Sequence, residues 1–394
     1  MIINDKRALA YIAVVHDIRP IAGADNIELV HILGWQCIAK KNEFQEGDKA
    51  VYFEIDSKVP ASDARFAFMS SKHYNVKTYK LNKFGVIGQG LAMPASVFPE
   101  VAELEVGTDV TDLLGITYSV VEDNIRKSPD RAMEILKSRK PKLFKNRFIK
   151  WLMKRRWGRW LVMKLWGGKT EKATAFPSKY CSKTDEERIQ NVPQLLEDKE
   201  PYTVTEKIDG TSSTYVLVRH KHWFGTKYEF IVSSRNVRQL KPTQKCWHDD
   251  NVYWEMAIKY DLENKMRQML DKMPKATYIV LQGETYGEGL QGNKYKMKDR
   301  DIRFFNLISD DSGKWETSMA ARFIDSYGLK WVPIISTQFK LPDTVEKMLE
   351  MATGPSTINK DVLREGYVLR RYTENGQTIS FKAVSPEFLI KNKE

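Results

Sequence analysis

The apolar positions of the chain fall into short strand-like runs separated by turn residues. At the front, ALAYIAVVHDIRPI, NIELVHILGWQCIAKK, DKAVYFEID and GQGLAMP are rich in β-branched and aromatic residues. Turn signals such as Gly23-Ala24-Asp25-Asn26 and Glu46-Gly47-Asp48 lie between them. About five short strands in roughly 100 residues suit a small barrel, and the OB-fold is the commonest such barrel to bind nucleic acid. The pattern by itself fits any small barrel, and residues 1–118 are read here as an OB-like nucleic-acid-binding domain.

A second series of runs occupies residues 173–394: YTVTEKI, STYVLV, YEFIVSS, TYIVLQGETY, IRFFNLIS, GYVLRRY and TISFKAV. Helical stretches lie between them at Asn251–Lys272 and Asp343–Ala352. Strands interrupted by helices in this way predict a predominantly antiparallel α+β domain. The fold class expected for the whole chain is thus α+β, an OB-like β-barrel followed by an antiparallel-sheet domain.

Residues 119–172 form a basic, aromatic-rich helical connector. Ser128 and Pro129 stand at cap and first-turn positions of a helix. Further on, Phe144, Phe148 and Leu152 recur at helical spacing, as do Ile149, Met153 and Trp157, and Gly167-Gly168 ends the pattern. Charge sharpens the picture here. The net charge is +12, yet Lys137 to Lys169 contains 13 Lys or Arg and no acid, and the rest of the chain carries −1. Three readings stay open for this segment: a solvated basic helix, a membrane-surface helix, or a nucleic-acid clamp. On the third, Lys150, Lys154, Arg155, Arg156 and Arg159 meet phosphates while Trp151, Trp157, Trp160 or Trp166 stacks on bases.

Several classes are excluded. No apolar run approaches the roughly 18 residues of a membrane span. MIINDKRALAYIAVV lacks the long apolar region of a signal peptide. Cys37, Cys181 and Cys246 are far apart, with neither a disulfide framework nor a zinc spacing. The six histidines include one H-x-H pair without accompanying ligands, so no metal cage of side chains is expected. The expectation is a cytoplasmic protein with no membrane partner, and nothing points to an obligate dimer.

The sharpest local signal is Thr205-Glu206-Lys207-Ile208-Asp209-Gly210, a lysine at a strand end with an acid and a turn-permitting glycine behind it. Lysine attacks phosphorus only when neutral, and its ordinary pKa is about 10.4. Desolvation or a nearby cation must lower that value for it to act as a nucleophile. Downstream follow Ser234-Arg235-Asn236, Gly283-Glu284-Thr285-Tyr286-Gly287, Phe304-Phe305-Asn306-Leu307, Arg364-Glu365-Gly366 and Ser380-Phe381-Lys382-Ala383. A guanidinium forks onto phosphate or ribose oxygens, carboxylates bind hard cations, and an aromatic ring stacks on a base. Singly each is ordinary: an exposed strand-end acid is usually solvated, and a phenylalanine within a strand is usually core. Their order is more specific.

That order resembles the covalent nucleotidyltransferase superfamily of DNA ligases, RNA ligases and mRNA capping enzymes, whose motifs I, Ia, III, IIIa, IV and V are collinear with these six elements. The resemblance implies that Lys207 attacks the α-phosphate of ATP to give lysyl-AMP. It implies that Glu206 contacts the adenine edge, with Gly210 beside the nucleotide. Asp209 would hold a metal or the ribose, and Arg235 the ribose or incoming phosphate. Glu284 would touch ribose or metal-bound water, and Phe305 would stack on adenine. Glu365 would organise metal waters, and Lys382 would neutralise the α-phosphate. The implied metal is Mg2+ or Mn2+, held by Asp209, Glu284 and Glu365 through water. Many relatives carry K-x-K at the last motif; here only Lys382 stands, and Lys391, Arg370 or no residue supplies the second cation. Phe304 and Phe305 both remain candidates for the stacking ring.

DNA ligases and capping enzymes place an OB domain after the last motif, whereas only 12 residues follow Lys382 and the candidate barrel is at the front. With KTDEERIQNVPQLL before TEKIDGTS, the arrangement resembles the fifth RNA ligase family. That resemblance implies an ATP-dependent RNA ligase joining 3′-OH and 5′-phosphate ends, at nicks in duplexes with RNA on the 3′-OH side. Its partner would be RNA or an RNA-containing duplex, its role RNA repair and its state a monomer. The alternatives are a DNA ligase or capping-type transferase, and a non-catalytic RNA-binding protein.

Overall fold

The structure is a computed structural model and describes residues 1–3, 6–119, 144, 146–153, 155, 162, 175–239, 251–373 and 375–392. The front of the chain forms a five-stranded antiparallel sheet from β1 (Ala10–Pro20), β2 (Ile27–Ile32), β3 (Trp35–Lys40), β4 (Lys49–Phe53) and β5 (Leu91–Pro94). Its order is β5-β4-β1-β2-β3. The run expected from Asn26 to Lys41 divides into a hairpin at Leu33-Gly34, where Leu33 adopts φ +52°. β1 pairs with β4 through Ala10–Val14 and with β2 through Val15–Pro20, and the register shifts between Val15 and Asp17. A bulge at that point bends the strand, so one element serves both halves of the barrel. The edges approach where Gln89 N–H donates to the Gln36 carbonyl at 2.8 Å.

The rest of the chain builds two sheets. The first contains β6 (Glu187–Arg188), β7 (Tyr202–Lys207), β14 (Ile334–Phe339), β15 (Gly366–Tyr372) and β16 (Thr378–Val384), in the order β6-β16-β15-β7-β14. The second contains β8 (Thr211–His222), β9 (Gly225–Ser234), β10 (Arg238–Gln239), β11 (Tyr278–Tyr286), β12 (Asp301–Ser309) and β13 (Gly313–Lys314), in the order β10-β9-β8-β11-β12-β13. Pairing is antiparallel except for β6 with β16. Five helices accompany the sheets among the described residues: α2 (Val252–Lys259), α3 (Leu262–Asp271), α4 (Thr317–Asp325), α5 (Val345–Ala352) and α6 (Pro386–Asn392). The expected helix over Asn251–Lys272 is broken at Asp261, whose φ of +51° turns the chain between α2 and α3. Asn251 caps α2 by accepting from the Trp254 N–H. β14 and α4 were not expected from the pattern.

Of the connector, the described part is helix α1 (Arg147–Met153) with Phe144, Arg155 and Val162. Ile149 and Leu152 are buried, while Lys150 and Trp151 face outward and Arg155 lies over the Trp151 ring at 4.7 Å. Lys154, Arg156, Arg159, Trp157, Trp160, Trp166, Gly167, Gly168 and the segment from Ser128 lie outside the described residues, as does Cys246. Among the described residues no helix is long and apolar enough to cross a membrane.

The barrel and the sheets share a core. Val384, Phe388 and Leu389, from the end of β16 and from α6, pack in one cluster with Tyr11, Trp35, Tyr52 and Ala92 of the barrel. Beside it, the Asn191 side chain accepts from Trp35 Nε1 (2.6 Å) and Tyr11 Oη (3.0 Å) and donates to Glu54 Oε1 (2.7 Å). Gly34 fits this seam because a Cβ there would lie 2.7 Å from the Gln190 Cα, and its own N–H donates to the Gln190 carbonyl at 2.7 Å.

Because Phe388 is 1% exposed and fills the barrel core from the far end of the chain, Phe388→Ala should destabilise the fold by about 3–5 kcal/mol. Denaturant unfolding followed at the barrel tryptophan would measure it; an unchanged midpoint would remove α6 from the cooperative core.

Candidate active site

The two sheets meet at the end of β7. Lys207 is its last residue and pairs with Gly366, so the preceding Glu365 is brought beside it. Lys207 Nζ lies 2.6 Å from Glu365 Oε1. Lys382, on β16 opposite Val368, comes from the same sheet. The second sheet supplies Glu284 on β11, Phe305 on β12 and Arg235 just after β9. Together these side chains line one cleft of about 320 Å³, except Glu365, which reaches it through Lys207.

Asp209 lies in the turn that carries the chain from one sheet to the other. Its N–H donates to Tyr295 Oη at 2.9 Å, and its carboxylate meets Lys294 Nζ at 2.8 Å. Gly210 is needed here for space: a Cβ would lie 2.3 Å from the Thr285 carbonyl oxygen on β11. Its φ lies outside the left-handed region, so close packing, rather than the tight turn expected from sequence, selects glycine.

The choice between Phe304 and Phe305 is made by a β-bulge. Gln282 pairs with Asn306 but Gly283 pairs with Phe304, which leaves Phe305 without a partner across the strand. Phe304 is fully buried, edge-on to Tyr215 at 6.2 Å, whereas Phe305 is half-buried and lines the cleft. A bulge that re-aims one side chain beside a site is a recurrent use of such irregularity. The Phe305 carbonyl accepts from Arg370 Nη1 at 2.6 Å, and Arg370 Nη2 pairs with Glu186 at 2.8 Å. Arg370 thus fixes the ring's backbone from the cleft wall. Lys391 belongs to α6 and is absent from the cleft lining.

Glu206, a neighbour of Lys207, points across the strand. Both of its carboxylate oxygens accept from the Ser356–Thr357 turn, at 2.5 Å from Ser356 Oγ and 2.8 Å from the Thr357 N–H. Its remaining atoms line the cleft.

Asp185 is the residue that motif reading missed. It accepts from Arg235 Nη2 at 2.7 Å and from Lys382 Nζ at 3.2 Å, so one carboxylate holds both cations in the cleft. Burial disfavours its charge, but Lys382 and Arg235 outweigh that and hold the carboxyl below its ordinary value. It stands in KTDEERIQN, a stretch whose charges gave no signal of where they point.

Electrostatically the cleft is balanced between crowded like charges. Burial opposes the Lys207 ammonium, but Glu365, Glu284 and Asp209 outweigh it and raise the pKa above its ordinary value. This differs from the lowered value that nucleophilic attack requires; a cation placed beside the carboxylates would lower it. Burial, relieved in part by Lys207 and reinforced by Glu365 and Asp209, pushes Glu284 up to about 8. Burial likewise brings Lys382 down to about 8, against the pull of Asp185.

The donor set fits a hard divalent cation that keeps its water. Glu365 Oε2 is buried without a hydrogen-bond partner, and burial together with the nearby Glu365 and Asp209 carries Glu284 above its usual range. Among the described residues no three acidic, histidine or cysteine side chains cluster closely enough to hold an ion directly. Contact through water satisfies both observations, and Mg2+-like ions bind in that manner.

Known proteins resemble the chain along nearly all of its length. A family model described as an OB-fold domain matches residues 9–95, and one described as RNA ligase matches residues 200–384. A ligand-free mutant of a Naegleria gruberi RNA ligase superposes with a TM-score of 0.72 at 32% identity, covering 98% of each chain. The chain belongs to the RNA ligase family. Mutants of the same Naegleria enzyme have been solved with AMP and manganese (TM-score 0.73, 32% identity, 98% of this chain and 99% of that one) and with ATP and manganese (TM-score 0.72, 32% identity, 98% and 100%). No curated protein sequence matches the ligase. Membership sets aside the DNA-ligase and capping-type alternatives, and RNA is the ligase's substrate class.

If Glu365 is the main anion holding Lys207 in its charged form, then Glu365→Gln should move the Lys207 titration to lower pH. Amine-reactive labelling of Lys207 across pH, read by mass spectrometry, should show the variant modified earlier than the parent. Coincident profiles would remove Glu365 from that role.

Proposed function

We propose that this RNA ligase uses ATP and a divalent cation to join a 3′-OH to a 5′-phosphate, through AMP carried on Lys207. The observation that carries the reading is the convergence of Lys207, Arg235, Glu284, Phe305 and Lys382 on one cleft, with Glu365 bonded to the lysine. Relatives solved with ATP and manganese and with AMP and manganese support the same choice of nucleotide and metal.

In the first step the neutral Lys207 amine attacks the α-phosphorus. An N–P bond forms, the P–O bond to pyrophosphate breaks, and the amine gives up a proton. Positioning and charge neutralisation do most of this work in phosphoryl transfer. Phe305 stacks on adenine, opposite apolar surface from Val332 and Val368 in the cleft wall. Arg235 and Lys382 leave Asp185 for phosphate oxygens. Glu206 contributes the cleft floor rather than a free carboxylate, since its oxygens are engaged. Gly210 lets the nucleotide lie close to the turn. Asp209, Glu284 and Glu365 would hold the cation through water, and its positive charge would favour the neutral Lys207 amine. AMP then passes to the 5′-phosphate, and the 3′-OH displaces it.

The preferred substrate on this reading is a nick in a duplex with RNA on the 3′-OH side. The barrel, residues 1–118, and the basic connector, residues 119–172 with Lys150, Lys154, Arg155, Arg156 and Arg159, grip it ahead of the transferase unit, residues 173–394. The ligase acts as a monomer in RNA repair. Its free buried thiols, Cys37 and Cys181, suit a reducing compartment such as the cytoplasm.

Incubation with α-labelled ATP and magnesium should tag the protein, and Lys207→Ala should abolish the tag; equal labelling of the variant would sink the assignment. On nicks that differ only in the 3′-OH strand, RNA should be sealed much faster than DNA, and equal rates would count against the strand preference.

The metal should also be pH-sensitive. Glu284 titrates at about 8 and binds a cation only as the carboxylate, so Mn2+ affinity of the nucleotide-free protein should rise from pH 7 to 9. Glu284→Gln should flatten that rise, followed by the electron-spin signal of free Mn2+. A slope that survives the substitution would assign the proton to another group.

A further inference from the structure

The long hairpin of β8 and β9 reaches beyond its sheet. β8 pairs with β11 only as far as Val218, opposite Tyr278, while its pairing with β9 continues to His222 opposite Gly225. The last residues form a two-stranded arm, anchored at its base by Arg219, whose Nη2 donates to the Met273 carbonyl at 2.8 Å. At its tip Trp223 and Phe224 are 93% and 98% exposed, with rings 6.1 Å apart and 23° from parallel. Single exposed apolar residues are common, but two adjacent rings with almost no protein contact call for a partner.

Charge says which partner. No carboxylate occurs between Asp209 and Glu229, while Arg219, Lys221 and Lys227 with two histidines flank the rings. Aromatic rings interleaved with cations form the usual platform for unpaired nucleotides, where bases stack and phosphates are neutralised. The arm is also continuous with the active site, because Ser212 at the other end of β8 lines the cleft. Eleven residues separate Ser212 from Trp223, or roughly 37 Å at ~3.4 Å per residue. That is about one helical turn of duplex.

We propose that this arm is a second RNA-binding site: Trp223 and Phe224 stack on unpaired bases about one helical turn from the joint, with Lys221 and Lys227 on the flanking phosphates. The proposal rests on the RNA ends being seated in the cleft. It selects as substrate a broken duplex that opens into a loop or single strand about ten base pairs from the break.

The test compares two nicked RNA duplexes identical at the joint. One arm ends blunt after about ten base pairs, one helical turn, and in the second the same arm continues as unpaired RNA. The extension should tighten binding to the wild-type protein about tenfold, within the range of one stacked base. The double variant Trp223→Ala, Phe224→Ala should bind both duplexes equally, and Trp223→Tyr, Phe224→Tyr should keep the gain. Labelling of Lys207 by ATP should be unchanged in both variants. Failure of labelling in the wild type would refute the nucleotide chemistry and leave this binding comparison intact. The proposal is overturned if the wild type gains nothing from the extension or if the alanine variant retains the gain. It is also overturned if the variant loses only its affinity for phosphatidylserine vesicles, which would make the arm a membrane contact.

Discussion

An ammonium held 2.6 Å from a carboxylate at a strand end is the constraint around which this ligase is arranged. Lys207 and Glu365 come from neighbouring strands, and the pair exists only because β7 and β15 are in the register that sets Lys207 against Gly366. Taking charges out of water is unfavourable unless each finds a partner, and breaking one partnership leaves the other charge exposed to that penalty. The cleft therefore contains alternating signs: Glu365 against Lys207, and Asp185 between Arg235 and Lys382. In this arrangement the neighbouring carboxylates favour the charged form of the lysine. A divalent cation beside Glu284 and Glu365 would compete with the lysine for their charge and so favour its neutral, nucleophilic form.

Asp185 shows the same logic from the anionic side. A carboxylate bridging two cations occupies them in the way a phosphate group would, so the cations are oriented before any nucleotide arrives. Preorganised charge of this kind lowers the reorganisation needed at the moment of reaction. Arg370 extends the order outward by tying the Phe305 carbonyl to Glu186, so the ring at the bulge is held from behind.

The seam between barrel and sheets bears on function as well as stability. Asn191 binds Trp35, Tyr11 and Glu54 at once, and its segment runs directly into the stretch that carries Asp185 and Arg188. With α6 closing the barrel core, the barrel is tied to both ends of the transferase unit. An OB-fold so fixed keeps a constant offset from Lys207.

Much of this was legible in the sequence. Apolar runs located most strands of both units. β8 and β9, however, extend three or four residues beyond their runs as the exposed arm, and β14, with exposed or half-buried side chains throughout, carried no apolar run. The order of Lys207, Arg235, Glu284, Glu365 and Lys382 told the chemistry through resemblance, since charged residues at strand ends lie where a cleft can use them. What the tertiary structure decided were matters of register and distance. Phe305 rather than Phe304 lines the cleft because of a bulge opposite Gly283, which no local propensity encodes. Gly210 is demanded by a carbonyl 75 residues away in sequence, at Thr285. Glu206 is spent on a turn near residue 356, Asp185 on two distant cations, and α6 on a barrel at the opposite end of the chain. Local sequence sets which way a side chain faces along a strand; only packing between strands sets what it meets there, and the charge state of Lys207 follows from that meeting.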